Sequence, residues 1–455
     1  MKLNRQGVFN MRVPKGATEI INILELNKYE AYLVGGCVRD MFLGLQPKDW
    51  DICTNASPQN VLTLFEHTHK VIPTGLQHGT VTILSEGTPY EVTTYRIDGE
   101  YEDHRRPATV QFTSNLIEDL ARRDFTVNAM AYNPEVGVVD PFGGIADIEA
   151  KVIRCVGRPE DRFGEDSLRI LRALRLASTK GFKIEEATNK AILELYPTMA
   201  HLSAERVLSE LLKLLQGDHV YSMLMNYSEV ITFVLPELKP MLGCQQKNPH
   251  HRYDVYEHTC DVVARLPKNE VLKMAGLFHD AGKPATKTNV DGVDHFYGHP
   301  EVSAQIAEQA LRRLKASNAL IEGVLTLIRH HDAEVTNRRS VRRMVNKIGK
   351  DRTSELLDLK EADAMAQSFT YLPTKLVVIY NARRILSELE AEEACFGLKD
   401  LAVNGKDLMD NGFKQGKLIG ETLKYLLDKV LDEVLPNDRE VLLREAISYK
   451  NSKVV

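Results

Sequence analysis

The sequence predicts an α+β fold, in which an N-terminal domain built on a mixed β-sheet is followed by domains made of helices alone. Two observations predict it. Between Lys70 and Thr113 the chain offers short β-branched runs, KVIPTG, GTVTILSEG, YEVTTYR and ATVQFTS, each bounded by turn residues as strands are. From His250 onward such runs give way to helical periodicity. The 455 residues suit two to four domains with ample core. An apolar content of 43% beside 27% charged residues is that of an ordinary globular protein.

Taken in order, residues 16–29 form an amphipathic helix whose apolar side carries Ile20, Ile21, Ile23, Leu24 and Leu26. The stretch from Tyr32 to Ser57, YLVGGCVRDMFLGLQPKDWDICTNAS, holds the densest chemistry. A short apolar strand breaks at Gly35-Gly36, where the absence of side chains lets backbone approach a polyphosphate and the following helix offers its amides. Arg39 can add a bidentate phosphate contact. Asp49 and Asp51 flank Trp50. On a strand, residues two apart share a face, so the two carboxylates would project together. Their repulsion is relieved by a divalent cation, and Mg²⁺ binds in this way, through one or two carboxylates and substrate phosphates. A solvated turn is the plainer reading of the same Asp pair.

Pro58 to His67 follows as a helix with Ser57 as its N-cap. On the YEVTTYR strand, Glu91 is either a third carboxylate or an ordinary solvent-facing residue. Arg96 to Pro107, RIDGEYEDHRRP, is too charged to bury itself and is expected to be a mobile loop. The segment Glu118 to Asn133 begins as a helix and carries Arg123, Asp124 and Asn128. Phe163 to Ala177, FGEDSLRILRALRLA, reads as one helix with Leu168, Leu171 and Leu174 in one row and Asp166, Arg169, Arg172 and Arg175 in another.

GGCVRD followed by KDWDICTNASP resembles the signature of the tRNA CCA-adding and poly(A) polymerase family in its bacterial, class II form. The resemblance implies a nucleotidyltransferase head at residues 1–150, a helical nucleotide-recognition neck at 151–245, a helical HD metal-dependent domain at 246–370 and a helical tail at 371–455. It implies Asp49 and Asp51 as catalytic Mg²⁺ ligands, with Gly36, Arg39, Arg123, Arg172 and Arg175 positioning CTP or ATP. It also implies that the charged loop serves addition of the terminal A. Asp166 and Arg169 match the family's EDxxR motif, and the pairing has a physical rationale. Cytosine and adenine both present an amino donor beside a ring-nitrogen acceptor, which a carboxylate and a guanidinium complement. Guanine and uracil would leave both protein groups unpaired. His201 to Leu215 resembles the family's next motif, a helix bracing this one.

Downstream, YEHT (His258), LFHDAGKP (His279, Asp280), GHPEVSA (His299), RHHD and EADAMAQ (Asp363) resemble an HD phosphohydrolase domain. His and Asp side chains gathered from several helices can hold Ni²⁺, Mn²⁺ or Mg²⁺ and activate water on a phosphoester. Of the two adjacent histidines, His330 is preferred over His331 as the ligand. Lys283 is either a phosphate neighbour or an ordinary loop lysine. His67, His69, His78 and His104 are expected to be surface or satisfied polar residues.

The net charge of −5 excludes a uniformly basic nucleic-acid binder, so tRNA would be held by local patches. The most basic stretch, Asn337 to Arg352, is either such a patch or a solvated helix face. No apolar run approaches the ~20 residues that span a bilayer, and the N-terminus lacks the apolar centre of a signal peptide. Six scattered cysteines without a CxxC pair fit a reducing cytoplasm. The reading is a cytoplasmic enzyme with tRNA, CTP and ATP as partners and no membrane. A poly(A) polymerase is the nearest alternative, and a non-catalytic RNA-binding regulator the next.

Overall fold

The computed structural model describes residues 12–76, 79–98, 110–249 and 251–453. The chain divides into two compact units, residues 1–234 and 235–455.

In the first unit α1 (Lys15–Leu26) buries Ala17, Ile20, Ile21 and Leu24 and leaves Leu26 exposed. Each of the buried isoleucines and leucines is worth roughly 1.5–3 kcal/mol relative to exposure. Then come β1 (Ala31–Val34), α2 (Gly36–Phe42), β2 (Asp51–Thr54) and α3 (Pro58–Phe65). Ser57 caps α3, its hydroxyl accepting from the Asn60 amide at 3.2 Å. The sheet continues with β3 (Lys70–Gly75), β4 (Thr80–Ser85) and β5 (Thr88–Thr94), and a separate ribbon pairs β6 (Arg96–Asp98) with β7 (Val110–Phe112). After α4 (Leu116–Ala121) the sheet is completed by β8 (Ala131–Asn133) and β9 (Gly137–Val139).

The strand order is β3-β4-β5-β2-β1-β8-β9, antiparallel everywhere except between β2 and β5. This is the mixed sheet predicted, and its one parallel joint sets Asp51 directly beside Glu91. Of the expected mobile loop, Arg96 to Asp98 belong to β6; residues 99–109, including His104, lie outside the described residues, as does His78.

The remainder of this unit is helical apart from the two-residue strands β10 (Val152–Ile153) and β11 (Lys183–Ile184). Its helices are α5 (Gly144–Ala150), α6 (Pro159–Glu165), α7 (Leu168–Lys180), α8 (Glu186–Leu195), α9 (Ala204–Leu215), α10 (Val220–Asn226) and α11 (Ser228–Val234). The single helix expected from Phe163 to Ala177 is two. Asp166 adopts an extended backbone, and its side chain accepts from the Leu168 amide at 3.1 Å, so it ends one helix and starts the next. Asp166 therefore does not share the helical row of Arg169, Arg172 and Arg175. Helix α9 packs along α7, where Glu210 faces Arg175 and the Leu214 carbonyl accepts from Ser178.

The second unit contains α12 (Val255–Arg265), α13 (Glu270–Phe278), α14 (Lys283–Thr286), a hairpin of β12 (Thr288–Val290) and β13 (Val293–His295), then α15 (His299–Arg313), α16 (Asn318–His330), α17 (Arg338–Ile348), α18 (Lys350–Met365) and α19 (Leu372–Ala391). The hairpin is an exception to the all-helical expectation. The chain ends with α20 (Gly405–Asp410), α21 (Lys417–Leu431) and α22 (Arg439–Lys453), which share an apolar cluster including Leu408, Phe413, Leu426, Val430 and Leu442. The arginines of α17 are consumed within the unit. Arg339 and Arg343 each make two hydrogen bonds to Asp432 at 2.6–2.8 Å, Arg338 pairs with Glu433 and Glu392, and Arg342 donates to the Val430 carbonyl at 3.0 Å. This basic stretch is a clasp on the following helices, not a set of free phosphate contacts. No helix among the described residues is long and apolar enough to cross a membrane.

Candidate active sites

Gly35 takes φ = +79°, and a Cβ there would lie 3.2 Å from the Arg123 guanidinium. The turn between β1 and α2 therefore requires glycine on two counts. Gly36 meets only ordinary contact distances, so sterics alone do not require glycine there. Asp51 opens β2, but Asp49 lies in the bend before it, so the two carboxylates do not share one strand. Trp50 between them is turned inward and 8% exposed, while Asp49 is exposed and Asp51 half-buried. Burial pushes the Asp51 carboxyl up to about 6; Glu91 and Asp49 push the same way and Arg123 opposes them. A carboxylate held against such opposition accommodates a divalent cation, so these residues fit Mg²⁺. Glu91, left open from the sequence, stands as Asp51's strand neighbour and faces solvent.

Arg123 is held by Asp119, which is fully buried and accepts from it at 3.0 Å and from Arg122 at 2.8 Å. Asp119 was not among the residues expected at the site, although its three- and four-residue spacing to the two arginines is the signal that marks it. Asp124 is the hub of a buried chain. It accepts from Arg172 at 2.7 Å and Asn128 at 3.0 Å, and Asn128 accepts from Arg39 at 2.5 Å. Despite its burial, the Arg172 guanidinium and the Asn128 amide hold the Asp124 carboxyl far below the usual range. Arg39 also donates to Asp40, which Lys180 of α7 reaches at 2.8 Å. The turn after β1 is thereby tied to α7.

Arg169 is buried. It donates to the carbonyls of Arg162 at 3.1 Å and Arg122 at 2.9 Å and to Glu165 at 2.5 Å. Asp166 instead accepts from Arg206 of α9 at 2.6 Å, a partner the sequence did not suggest. Arg175 lies 3.0 Å from Glu210. Arg172 and Arg175 thus enter as partners of protein carboxylates.

The second unit gathers His258 of α12, His279 and Asp280 after α13, His299 at the start of α15, His331 after α16 and Asp363 of α18 into one cluster, of which Asp280, His299, His331 and Asp363 line a cavity of about 340 Å³. Here the sequence reading is corrected. His331, 5% exposed, joins the cluster, whereas His330 lines a different cavity beside Arg329, Lys347 and Arg352. Neighbouring residues at a helix end leave in different directions, and the sequence does not say which turns inward. Lys283 is 5% exposed and sits 2.7 Å from Asp280 and 2.8 Å from Gln246, so it is no ordinary loop lysine.

Two buried atoms here, Nε2 of His258 and Nε2 of His279, make no hydrogen bond, although ion-pair distances among the group run from 3.0 to 3.8 Å, while Oδ2 of Asp280 is paired with Lys283. Buried polar atoms left without partners are costly, and the donor set of imidazoles and carboxylates fits a divalent transition metal. Burial opposes a charged His279, but Asp280 and Asp363 outweigh it and hold the ring's pKa up to about 10; burial drives His331 down to about 4. His251, whose ring lies 5.4 Å from that of His258, and Asp332 also border the cavity and were not foreseen.

Three family models match the chain. Residues 31–154 match the Poly A polymerase head domain, 181–242 the probable RNA and SrmB-binding site of polymerase A, and 297–446 the putative tRNA nucleotidyltransferase domain 2. The CCA-adding enzyme of Oceanobacillus iheyensis is 51% identical over 204 residues, which is 45% of this chain and 50% of that protein. The chain thus spans about half the length of that relative. The CCA-adding enzyme of Lacticaseibacillus paracasei is 32% identical over 443 residues, covering 97% of this chain and 98% of its own. Among solved structures, the Bacillus stearothermophilus CCA-adding enzyme in complex with CTP aligns over 96% of this chain and 98% of its own, with a TM-score of 0.70 and 28% identity. By descent and by fold, the chain belongs to the CCA-adding enzyme family.

Proposed function

We propose that the chain adds C, C and A to the 3′ end of tRNA from CTP and ATP without a nucleic-acid template, in the cytoplasm. The observation that carries this is the Asp49, Asp51 and Glu91 edge beside Arg123, supported by full-length relatives that are CCA-adding enzymes. Residues 1–150 act as the head, 151–245 as the neck, 246–370 as the HD domain and 371–455 as the tail. When bound, Mg²⁺ would be held by Asp49 and Asp51 and would supply activation of the tRNA hydroxyl and neutralisation of the diphosphate. Gly36 gives the backbone room to approach the triphosphate. Arg39 and Arg123, fixed by Asn128 and Asp119, orient it, with Arg172 and Arg175 completing the basic wall. Asp166 and Arg169 read the base edge, accepting from the amino group and donating to the ring nitrogen.

The test offers the protein tRNA lacking its terminal CCA with CTP, ATP or both. Two Cs and then one A are expected; a long A tract would make it a poly(A) polymerase, and no extension would leave an RNA-binding regulator.

A second activity rests on a separate observation, the orphaned buried atoms of the helical cluster. We infer a metal-dependent phosphohydrolase there, acting on 2′,3′-cyclic phosphates or phosphomonoesters with Ni²⁺, Mn²⁺ or Mg²⁺. His258, His279, Asp280 and Asp363 hold the metal, with His299 and His331 beside them. Hydrolysis of such esters should disappear in His279→Ala while CCA addition persists; hydrolysis by none of the three metal-loaded forms of the wild type would refute this activity.

A further inference from the structure

We infer that Tyr297 is the surface on which the substrate of the helical cluster lays a nucleobase, so that the site selects its phosphoester by the base that ester carries. This rests on the reading of the cluster as a phosphohydrolase and adds the side chain that recognises the remainder of the substrate.

Tyr297 is 75% exposed, the most exposed aromatic side chain among the described residues. It follows the β12–β13 hairpin, the element that interrupts the helices of this unit. Asp291 and Gly292 close that hairpin between the paired Val290 and Val293, with φ of +51° and +84°. Two such residues give the turn whose twist matches that of its strands. Asp294 anchors the second strand. Its carboxylate is 3% exposed, accepts from the Lys247 amide and the Asn289 side chain at 2.8 Å each, and pairs with Lys287 at 2.9 Å. Gly298, with φ = +74°, then turns the chain into α15, whose first residue is His299. Tyr297 is therefore pinned between an anchored strand and a residue of the cluster.

The ring is also held from the side. It lies parallel to the His295 ring within 6°, with centroids 5.3 Å apart, and its hydroxyl is 3.3 Å from Nδ1 of His295. His295, Phe296 and Tyr297 line the same cavity as Asp280, His299 and Asp363. The cavity thus has two chemically different parts. Its cluster side is imidazole, carboxylate and the buried Lys283, groups that suit a phosphate and a cation. Its hairpin side offers an open aromatic ring of fixed orientation. A phosphoester held by the first part presents whatever it carries to the second. A flat base covers an open tyrosine face, and does so whatever its identity because every base has a π face. A phosphoester without a base leaves that face in water.

The experiment compares two esters that differ in the base. Full-length protein loaded with Ni²⁺ is titrated calorimetrically with guanosine 2′-phosphate and with glycerol 2-phosphate. Guanine is chosen because the proposed Asp166–Arg169 pair of the head would be left unpaired by it. The wild type should bind the guanosine ester about tenfold more tightly or better, the size expected of one base–aromatic stack. Tyr297→Ala should bring the two affinities together, and Tyr297→Phe should restore the preference; the exposure of the side chain makes both variants mild for the fold. Equal affinity for the two esters in the wild type, or a preference that survives Tyr297→Ala, would overturn the inference. Binding of neither ester would overturn it together with the hydrolase reading. Hydrolysis assays on the same preparations separate the two: base-selective binding lost in Tyr297→Ala without hydrolysis would refute the hydrolase and leave the stacking surface, while hydrolysis of both esters with equal kcat/KM and equal affinity would do the reverse.

Discussion

The two candidate sites present their carboxylates in opposite ways. In the sheet domain, carboxylates stand at the exposed beginning of a strand, and the cationic side chains around them are already engaged by Asp119, Asn128 and Asp124. In the helical unit the donors are buried, and each of three imidazoles is aimed by a backbone carbonyl. The first arrangement suits an ion that arrives with substrate phosphates and leaves with diphosphate. The second suits an ion retained between turnovers. Ligand removal should therefore be nearly free of structural cost in one case and costly in the other.

The largest effect expected is on nucleotide addition in Asp51→Asn. Loss of a metal ligand is worth several kcal/mol of transition-state stabilisation, or about 10³-fold or more in rate. The same change removes a half-buried charge opposed by Glu91 and Asp49, so the unfolding midpoint should hold or rise. Incorporation assays beside thermal unfolding check both halves, and wild-type incorporation would end the assignment. In the buried cluster, by contrast, Asp280→Ala strands Lys283 without its carboxylate. Breaking one side of such a pair costs about 3–5 kcal/mol.

Next in size is Asp124→Asn, expected to destabilise by about 3 kcal/mol because the buried carboxylate's charge-assisted bonds to Asn128 and to the partly exposed Arg172 are both weakened. The sign with pH follows. The folded-state pKa of Asp124 is depressed, so its contribution is complete above the unfolded value near 3.9 and is lost as pH falls toward the lower folded value. The stability difference between wild type and variant should shrink below about pH 4. A difference independent of pH would contradict the ion pair. Smaller is the effect of Asp166→Ala on selectivity: preference for CTP over UTP should fall by about 1–3 kcal/mol, read by competition. Equal preference before and after would remove Asp166 from base reading. Smallest is Arg343→Ala. Its partner Asp432 keeps Arg339, so stability should change by no more than about 1 kcal/mol, and tRNA affinity in a filter-binding titration should not move. A marked loss of tRNA binding would restore the phosphate-contact reading of that stretch.

What was legible in the sequence was whatever periodicity or a fixed local spacing encodes. The mixed sheet followed by helices came from β-branched runs and helical periods, and the Ser57 cap from residue type. Partner choice was not legible. Arg169 and Arg338 are both helix arginines, yet one ends on main-chain carbonyls and the other on Glu433 and Glu392, contacts made by residues 7 to 95 positions away. The helix break at Asp166 is not legible, because a short polar side chain can cap as readily as it can sit on a helix face. Local spacing carries no information about which way the chain turns after α16, so it does not tell His331 from His330.

The clasp of α17 has a consequence for how the end of the chain is held. Its bonds to Asp432, Glu433 and Glu392 are mostly solvent-exposed ion pairs, while α20, α21 and α22 keep an apolar cluster of their own. Counterions compete with the first kind of contact and hardly with the second. The Debye length shrinks from about 8 Å at physiological ionic strength to about 3 Å at 1 M. Helices α20 to α22 thus resemble a self-contained weight behind a charged latch: salt should ease the latch, quickening amide exchange along the α17 seam, while the apolar cluster beyond it stays shut.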